Sequence, residues 1–255
     1  MTFSHKKEHS EAAAQAAALW RSSRHVIALT GAGVSVPSGI PDFRSPGGLW
    51  TRFDPMEVAT IDALRRSPRR VWEFLLDAAK LFGAARPNPA HEALAALEAA
   101  GRLDAIITQN IDSLHQAAGS ERVIEFHGSG ARYYCQSCRE PHDPDLARAL
   151  TSADLPWRCG CGGVIRPDFV FFGEAIPRAA LSESFDLAQR ADLCVIVGTS
   201  GEVAPANTIP YEVKRHGGKV MEINLGRTEY GPLADVRFDA PCEQVLPALK
   251  TLVLS

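Results

Sequence analysis

The 255-residue chain has no excess of positive charge: 27 Lys and Arg stand against 30 Asp and Glu, for a formal net charge of −3. It therefore presents no basic field for direct nucleic-acid binding. No apolar run approaches the roughly 20 residues needed to cross a bilayer, so no membrane partner is expected. The segment from Met1 to Ser10 is polar and lacks the apolar core of a secretory signal. No internal repeat or low-complexity tract interrupts the chain. A cytoplasmic location is the default expectation. In that setting six cysteines argue against a disulfide scaffold, and four of them cluster.

A hydrophobic content of 45% supports an ordinary globular core, and the length suits one large domain, with or without an inserted module. Apolar runs recur at Val26–Thr30, Ala105–Thr108, Val123–Phe126, Phe169–Phe172, Leu193–Thr199 and Lys219–Leu225. Helical patterns lie between them: Glu11–Ser22, Pro68–Phe82, Pro89–Ala100, Ala179–Arg190, Asn207–Arg215 and Glu243–Leu254. Asn88 suits an N-cap before Pro89, and Gly101 suits a stop. Such alternation predicts an α/β fold with a doubly wound parallel, Rossmann-like sheet. Two stretches do not fit it, a helical one without strands and a polar, cysteine-bearing one. The expected division is a Rossmann-like domain from 1–44, 86–128 and 167–255. A smaller inserted domain is then built from a helical module at 45–85 and a metal module at 129–166.

Gly31-Ala32-Gly33-Val34-Ser35 follows the first apolar run. Glycines after a strand let backbone approach a pyrophosphate, and a helix N-terminus supplies N–H donors. The third glycine of the usual dinucleotide fingerprint is missing, because Val36 occupies its place and Gly39 comes three residues late. A polar loop, Pro41-Asp42-Phe43-Arg44-Ser45-Pro46-Gly47-Gly48, follows. Charged residues flanking an aromatic beside a nucleotide suggest a nucleotide that is consumed rather than merely held.

Other strand ends carry polar groups. Thr108-Gln109-Asn110-Ile111-Asp112 ends one strand, where ligands bind in such sheets, although Asn110 could simply cap the next helix. His127 follows another strand in Phe126-His127-Gly128, where an imidazole can take a proton near neutral pH. Gly198-Thr199-Ser200 and Asn224 end two more strands and suit the second half of a nucleotide, or plain turn chemistry. Cys194 lies mid-strand in the core, and Cys242 precedes the last helix. Cys135, Cys138, Cys159 and Cys161 form two close pairs that fit a tetrahedral structural zinc. Phe171-Phe172-Gly173-Glu174 gives an exposed, flexible edge to which an extended peptide could add as a strand.

Taken together, Gly-Ala-Gly-Val-Ser with Gly-Ile-Pro-Asp-Phe-Arg, Thr-Gln-Asn-Ile-Asp, Phe-His-Gly, the paired cysteines, Phe-Gly-Glu and Gly-Thr-Ser resemble the sirtuins. These are NAD-dependent protein lysine deacylases, here of bacterial or archaeal type. The match runs in order from about Val26 to Cys242. The resemblance implies that Gly31, Ala32, Gly33 and Ser35 hold the pyrophosphate. It places Asp42, Phe43, Arg44 and Trp50 at the nicotinamide side, and Gln109, Asn110, Ile111 and Asp112 in the ribose and nicotinamide pocket. Gly198, Thr199, Ser200, Asn224, Leu225, Gly226 and Cys242 would line the adenosine half. His127 would be the general base, with Asn110 and Asp112 also catalytic. Val170, Phe172, Gly173 and Glu174, with Val203 opposite, would bind the acyl-lysine substrate. The implied products are free lysine, nicotinamide and an O-acyl-ADP-ribose. An ADP-ribosyltransferase or NAD hydrolase is the alternative, and a monomer is the default state. Members that prefer acidic acyl groups carry a Tyr and an Arg where Leu75 and Ala78 follow Trp72-Glu73-Phe74. Acetyl or other neutral acyl groups are therefore expected. Glu202 and Ala204 also depart from the family pattern beside the peptide cleft.

Overall fold

A computed structural model describes residues 3–42 and 53–255. Six parallel strands form the large sheet: β1 (Val26–Thr30), β2 (Ala105–Thr108), β3 (Val123–Glu125), β7 (Leu193–Val197), β8 (Lys219–Asn224) and β9 (Val236–Asp239). Their order is β3-β2-β1-β7-β8-β9. The order reverses at β1, which pairs with β2 on one side and β7 on the other. This is the doubly wound topology, whose ligand crevice lies beyond the carboxyl ends of the strands at that reversal.

The strands are apolar on both faces because each face has its own core. Val26 and Ala28 of β1 join one cluster with Val195, Val197, Met221 and Ile223, packed under α1 (Phe3–Ser22), α5 (Pro89–Ala99) and α10 (Cys242–Leu254). Ile27 and Leu29 point the other way, with Cys194, Ile196 and Val220, onto α8 (Arg178–Arg190) and α9 (Ile209–Arg215). The period of two thus splits one strand between two layers. Truncating fully buried Leu29 to Ala would cost about 2–5 kcal/mol. Asn88 does cap α5, accepting from Ala90 N–H, and Pro89 opens the helix.

The smaller domain combines α2 (Pro55–Val58), α3 (Ile61–Arg66) and α4 (Pro68–Ala84) with an antiparallel sheet ordered β5-β4-β6. Its strands are β4 (Gly128–Cys135), β5 (Pro141–His142) and β6 (Ile165–Phe169), and α7 (Pro144–Ala149) follows β5. Trp72 of α4 joins the two modules: its Nε1 donates to Ile165 O at 2.9 Å, and its ring meets Tyr133 and Trp157.

Two strand expectations need correction. The run Phe169–Phe172 is not a strand of the large sheet. The strand there is β6, which begins four residues earlier and belongs to the small sheet. The sixth strand of the large sheet is instead β9, which pairs with β8.

Candidate active site

Backbone packs on backbone where β1 and β7 end. Gly31 N–H donates to Val197 O at 3.1 Å, and Gly33 N–H to Gly198 O at 2.8 Å. A Cβ on Gly33 would sit 2.7 Å from Gly198 Cα, and one on Gly31 would sit 2.7 Å from Thr199 Cβ. Gly198 itself has φ +62°. These glycines keep side chains out of the crevice floor, which is the fit that a pyrophosphate requires. The segment beyond is not an α-helix. Two 3-10 turns, Ala32–Val34 and Val36–Ser38, follow one another, and Gly39 ends the second at φ +91°. An anion held there would meet local N–H groups rather than a long helix dipole. Val36 is exposed, and a Cβ at Gly39 would touch nothing within 4 Å among the described residues. Gly39 is therefore required by conformation, not by packing.

Asn110 does not cap the next helix. Its Nδ2 donates to Gly31 O and to Ser35 Oγ, each at 3.1 Å. Ser35 Oγ donates in turn to Asp112 Oδ2 at 2.7 Å. The capping role falls to Asp112, whose Oδ1 accepts Leu114 N–H at the start of α6 (Leu114–Ala117). Three residues from two strand ends are thus locked together, and all three were expected from the sequence. Gln109 bridges the other way, its Nε2 donating to Thr199 Oγ1 at 2.9 Å. Asn224 Nδ2 donates to Thr199 O at 2.7 Å. Ile111 O accepts Gly130 N–H at 3.0 Å, which ties this loop to β4. Below it, buried Thr30 Oγ1 lies 2.9 Å from both Thr108 Oγ1 and His115 Nε2, and the His115 ring packs on His91.

His127 lies between β3 and β4, half-buried. Its Nδ1 is 3.0 Å from Gln109 O, a carbonyl that can only accept. That contact places the proton on Nδ1 and leaves the Nε2 lone pair directed away from the loop. Burial lowers the His127 pKa below the ordinary 6.5, and the Gln109 carbonyl offsets this only in part. The ring is neutral at pH 7 and can accept a proton. Gly128, at φ +72°, has Asp168 O where a Cβ would be, so the chain turns into β4 against backbone.

Where the resemblance would place the adenosine half, Leu225 is 64% exposed beside Asn224. Gly226 is held at both backbone groups: its N–H donates to Asp239 Oδ1 at 2.9 Å, and its carbonyl accepts from Arg237. Arg237 also pairs with the fully buried Glu222 at 2.9 Å. The sequence reading missed Arg237 and Asp239 together with β9. Cys242 is buried at the start of α10, its thiol pushed up to about 12 chiefly by burial.

Cys135, Cys138, Cys159 and Cys161 come together, with all four Sγ atoms within 4.8 Å of one another. Cys135–Cys161 and Cys138–Cys159 are 3.5 and 3.7 Å apart. A disulfide needs about 2.05 Å. Four thiolates on one tetrahedral zinc at about 2.3 Å would stand about 3.8 Å apart, which these distances match. Gly163 N–H donates to Cys161 Sγ at 3.4 Å, and the backbone N–H of Cys138 helps hold the Cys135 thiol down to about 6. The one-residue gap between Cys159 and Cys161 is accommodated, because Gly162 at φ +85° turns the chain back.

In the segment expected to meet the substrate, Val170 N–H donates to His127 O at 2.9 Å, and Phe172 is 46% exposed. Phe172 forms a parallel bridge with Thr60 of the helical module. Val203 lies half-buried after Gly201, beyond β7. Glu174 turns back onto its own segment, its Oε2 accepting Phe171 N–H at 2.9 Å. It forms a bidentate pair with buried Arg166, so the expected flexible edge is anchored. Asp42 is half-buried, whereas Phe43, Arg44 and Trp50 lie outside the described residues. No described helix is long and apolar enough to cross a membrane.

Residues 31–205 match the model of the Sir2 family. Over 238 residues the chain is 47% identical to an NAD-dependent protein deacylase of Thermococcus kodakarensis, covering 92% of this chain and 93% of that one. It resembles a solved Sir2 enzyme structure with a TM-score of 0.89 and 40% identity, over 96% of this chain and 98% of that chain. A Sir2 structure with a deacetylated p53 peptide and 3'-O-acetyl-ADP-ribose is 38% identical, with a TM-score of 0.88 over 93% of this chain and 96% of the other.

Proposed function

We infer that this chain, which belongs to the Sir2 family, is an NAD-dependent protein lysine deacylase whose general base is His127. The carrying observation is the pairing of His127 Nδ1 with the Gln109 carbonyl, on the loop that also presents Asn110 and Asp112. NAD supplies, when bound, a glycosidic bond to nicotinamide that is weak enough to be exchanged for a bond to the acyl oxygen. The remaining work is assigned to this chain. Gly31, Ala32, Gly33 and Ser35 take the pyrophosphate, supported by the side-chain-free floor against Gly198. Gln109, Thr199, Ser200, Asn224, Leu225, Gly226 and Cys242 take the adenosine and ribose side. Asn110 and Asp112 orient the nicotinamide ribose through the Ser35 link. Asp42, Phe43, Arg44 and Trp50 are assigned to the nicotinamide side on the family resemblance alone. His127 Nε2 takes a proton from a hydroxyl brought beside it, and Nδ1 remains protonated against Gln109 O.

The substrate is an acyl-lysine peptide laid along Val170, Phe172 and Gly173, with Val203 opposite. Acetyl and other neutral acyl groups are favoured. Leu75 packs against the apolar cluster of Ile61 and Phe171, and Ala78 is buried, so neither position offers a cation to a carboxylate. The four cysteines hold a structural zinc, which belongs to the small domain and not to the chemistry. Thiols kept free for that zinc support a reducing, cytoplasmic location. Replacing His127 by Ala tests the assignment. Turnover should fall by about a hundredfold or more while NAD binding persists. Unchanged turnover would remove His127 as the base.

A further inference from the structure

The segment after β6 is fastened more firmly than an exposed edge requires. Phe171-Phe172-Gly173-Glu174 forms a reverse turn: Glu174 N–H donates to Phe171 O at 3.0 Å. Gly173 takes φ +88° as its third residue, the position where a type II turn requires glycine. The Glu174 side chain then crosses the same turn, Oε2 accepting Phe171 N–H at 2.9 Å. Arg166 of β6 closes the turn a third time. Its Nη1 meets Glu174 Oε1 at 2.5 Å and its Nη2 meets Oε2 at 2.7 Å. Two further donors go to Pro167 O and Phe169 O, and the guanidinium carbon lies 4.6 Å from the Phe171 ring centre.

Arg166 is 2% exposed. A buried ion pair is weak evidence for stability, because apolar side chains of equal volume often serve as well. What a planar fork on a carboxylate adds is fixed geometry. The parts it fixes are the ones the reaction needs. Val170 N–H reaches the carbonyl of His127. Phe172 N–H donates to Ala59 O at 2.9 Å, and Phe172 O accepts Ile61 N–H at 3.1 Å, which joins the segment to the helical module. Gly173 N–H and C=O make no hydrogen bond among the described residues, which leaves the donor of one peptide unit and the acceptor of the next open to an added strand.

We propose that Arg166 and Glu174 are a positioning pair, setting the Val170–Gly173 segment at the angle where the acyl-lysine peptide pairs with it while anchoring it to His127. The inference rests on the deacylase reading above and adds two residues that act through the segment without touching peptide or NAD.

The test uses the whole chain with NAD and an acetyl-lysine peptide. Glu174→Gln keeps the size but removes the second acceptor, and Arg166→Lys keeps the charge but removes the fork. In each, KM for the peptide should rise about tenfold or more while kcat at saturating peptide falls less. NAD binding without peptide should stay within about twofold of wild type. An apolar double variant, Arg166→Met with Glu174→Leu, covers the case in which single variants fail to fold; it should fold and keep the peptide KM defect. Unchanged peptide KM in the folded variants would overturn the proposal. So would equal losses of NAD affinity and peptide KM together with a lowered melting temperature, which would make the pair merely structural. Wild-type enzyme is assayed alongside. Its failure to deacetylate would overturn the deacylase reading and this inference with it, whereas normal wild-type turnover beside normal variants sinks the inference alone.

Discussion

Nδ1 of His127 lies 3.0 Å from the carbonyl oxygen of Gln109, the residue immediately after β2. The proposed base is therefore oriented by backbone, and among the described residues no carboxylate pairs with it. Burial lowers its proton affinity, and the Gln109 carbonyl offsets this only in part. The neutral, working form accordingly persists to lower pH than for a free histidine.

The acid limb of kcat/KM should therefore fall below pH 6.5, the ordinary histidine value, with the rate level through neutrality. A pH–rate profile with the acetyl-lysine peptide checks this. An acid limb centred above 6.5 would mean that another group sets the rate, or that the imidazole has a partner other than Gln109.

Gly33 and Gly39 should respond oppositely to a methyl group. Gly33→Ala drives Cβ to 2.7 Å from Gly198 Cα and 2.8 Å from Gly198 O, so backbone must move at the crevice floor. A loss of about 1–3 kcal/mol is expected, with NAD affinity falling as well. Gly39→Ala meets nothing within 4 Å and bears only the strain of φ +91°, about 1 kcal/mol. Melting curves and NAD titration separate the two. Equal NAD affinity in both variants would disprove the floor.

His91 and His115 make the fold acid-sensitive. Both are fully buried, and burial takes their pKa values from 6.5 to about 4 and about 3. Between 6.5 and those values the unfolded chain binds protons that the folded chain refuses, so stability rises with pH. It should be complete above pH 6.5 and be lost as pH falls toward 4 and then 3. The loss rate approaches about 1.4 kcal/mol per pH unit for each ring. Denaturant titrations across this range measure the slope. His115→Gln should flatten it, and an identical slope would show that the ring is not a proton-excluding site.

Much of this was legible because local pattern and tertiary demand agreed. Val26–Thr30 reads as a buried strand since both of its faces are core, and its bounds are those of β1. The four cysteines announce themselves by spacing, and their Sγ atoms do converge. His127 does follow a strand, as its sequence context indicated, but its contact with Gln109 O joins residues 18 apart and has no local signal. Phe169–Phe172 was misplaced because a short apolar run does not say which sheet will hold it; Arg166 and Asp168 lie within the strand that actually forms. β9 was passed over because Arg237 and Asp239 alternate with its apolar residues at a sheet edge. The Arg166–Glu174 pair left no sequence signal at all, since eight residues of separation match neither helical nor strand spacing.

The proposed preference for neutral acyl groups rests on Leu75 and Ala78. With an apolar side chain and a buried methyl at those positions, an acetyl-lysine peptide should turn over faster than its succinyl counterpart by about tenfold or more. Parallel kcat/KM measurements on one peptide sequence test this, and a faster succinyl reaction would refute it.

On the proposed function, the crevice couples NAD consumption to acyl removal. The most direct measurement incubates the protein with NAD and an acetyl-lysine peptide and follows all products by mass. Deacetylated peptide, nicotinamide and O-acetyl-ADP-ribose should appear in equal amounts, and all three should vanish together in His127→Ala. Free ADP-ribose and nicotinamide with the peptide still acetylated would contradict it.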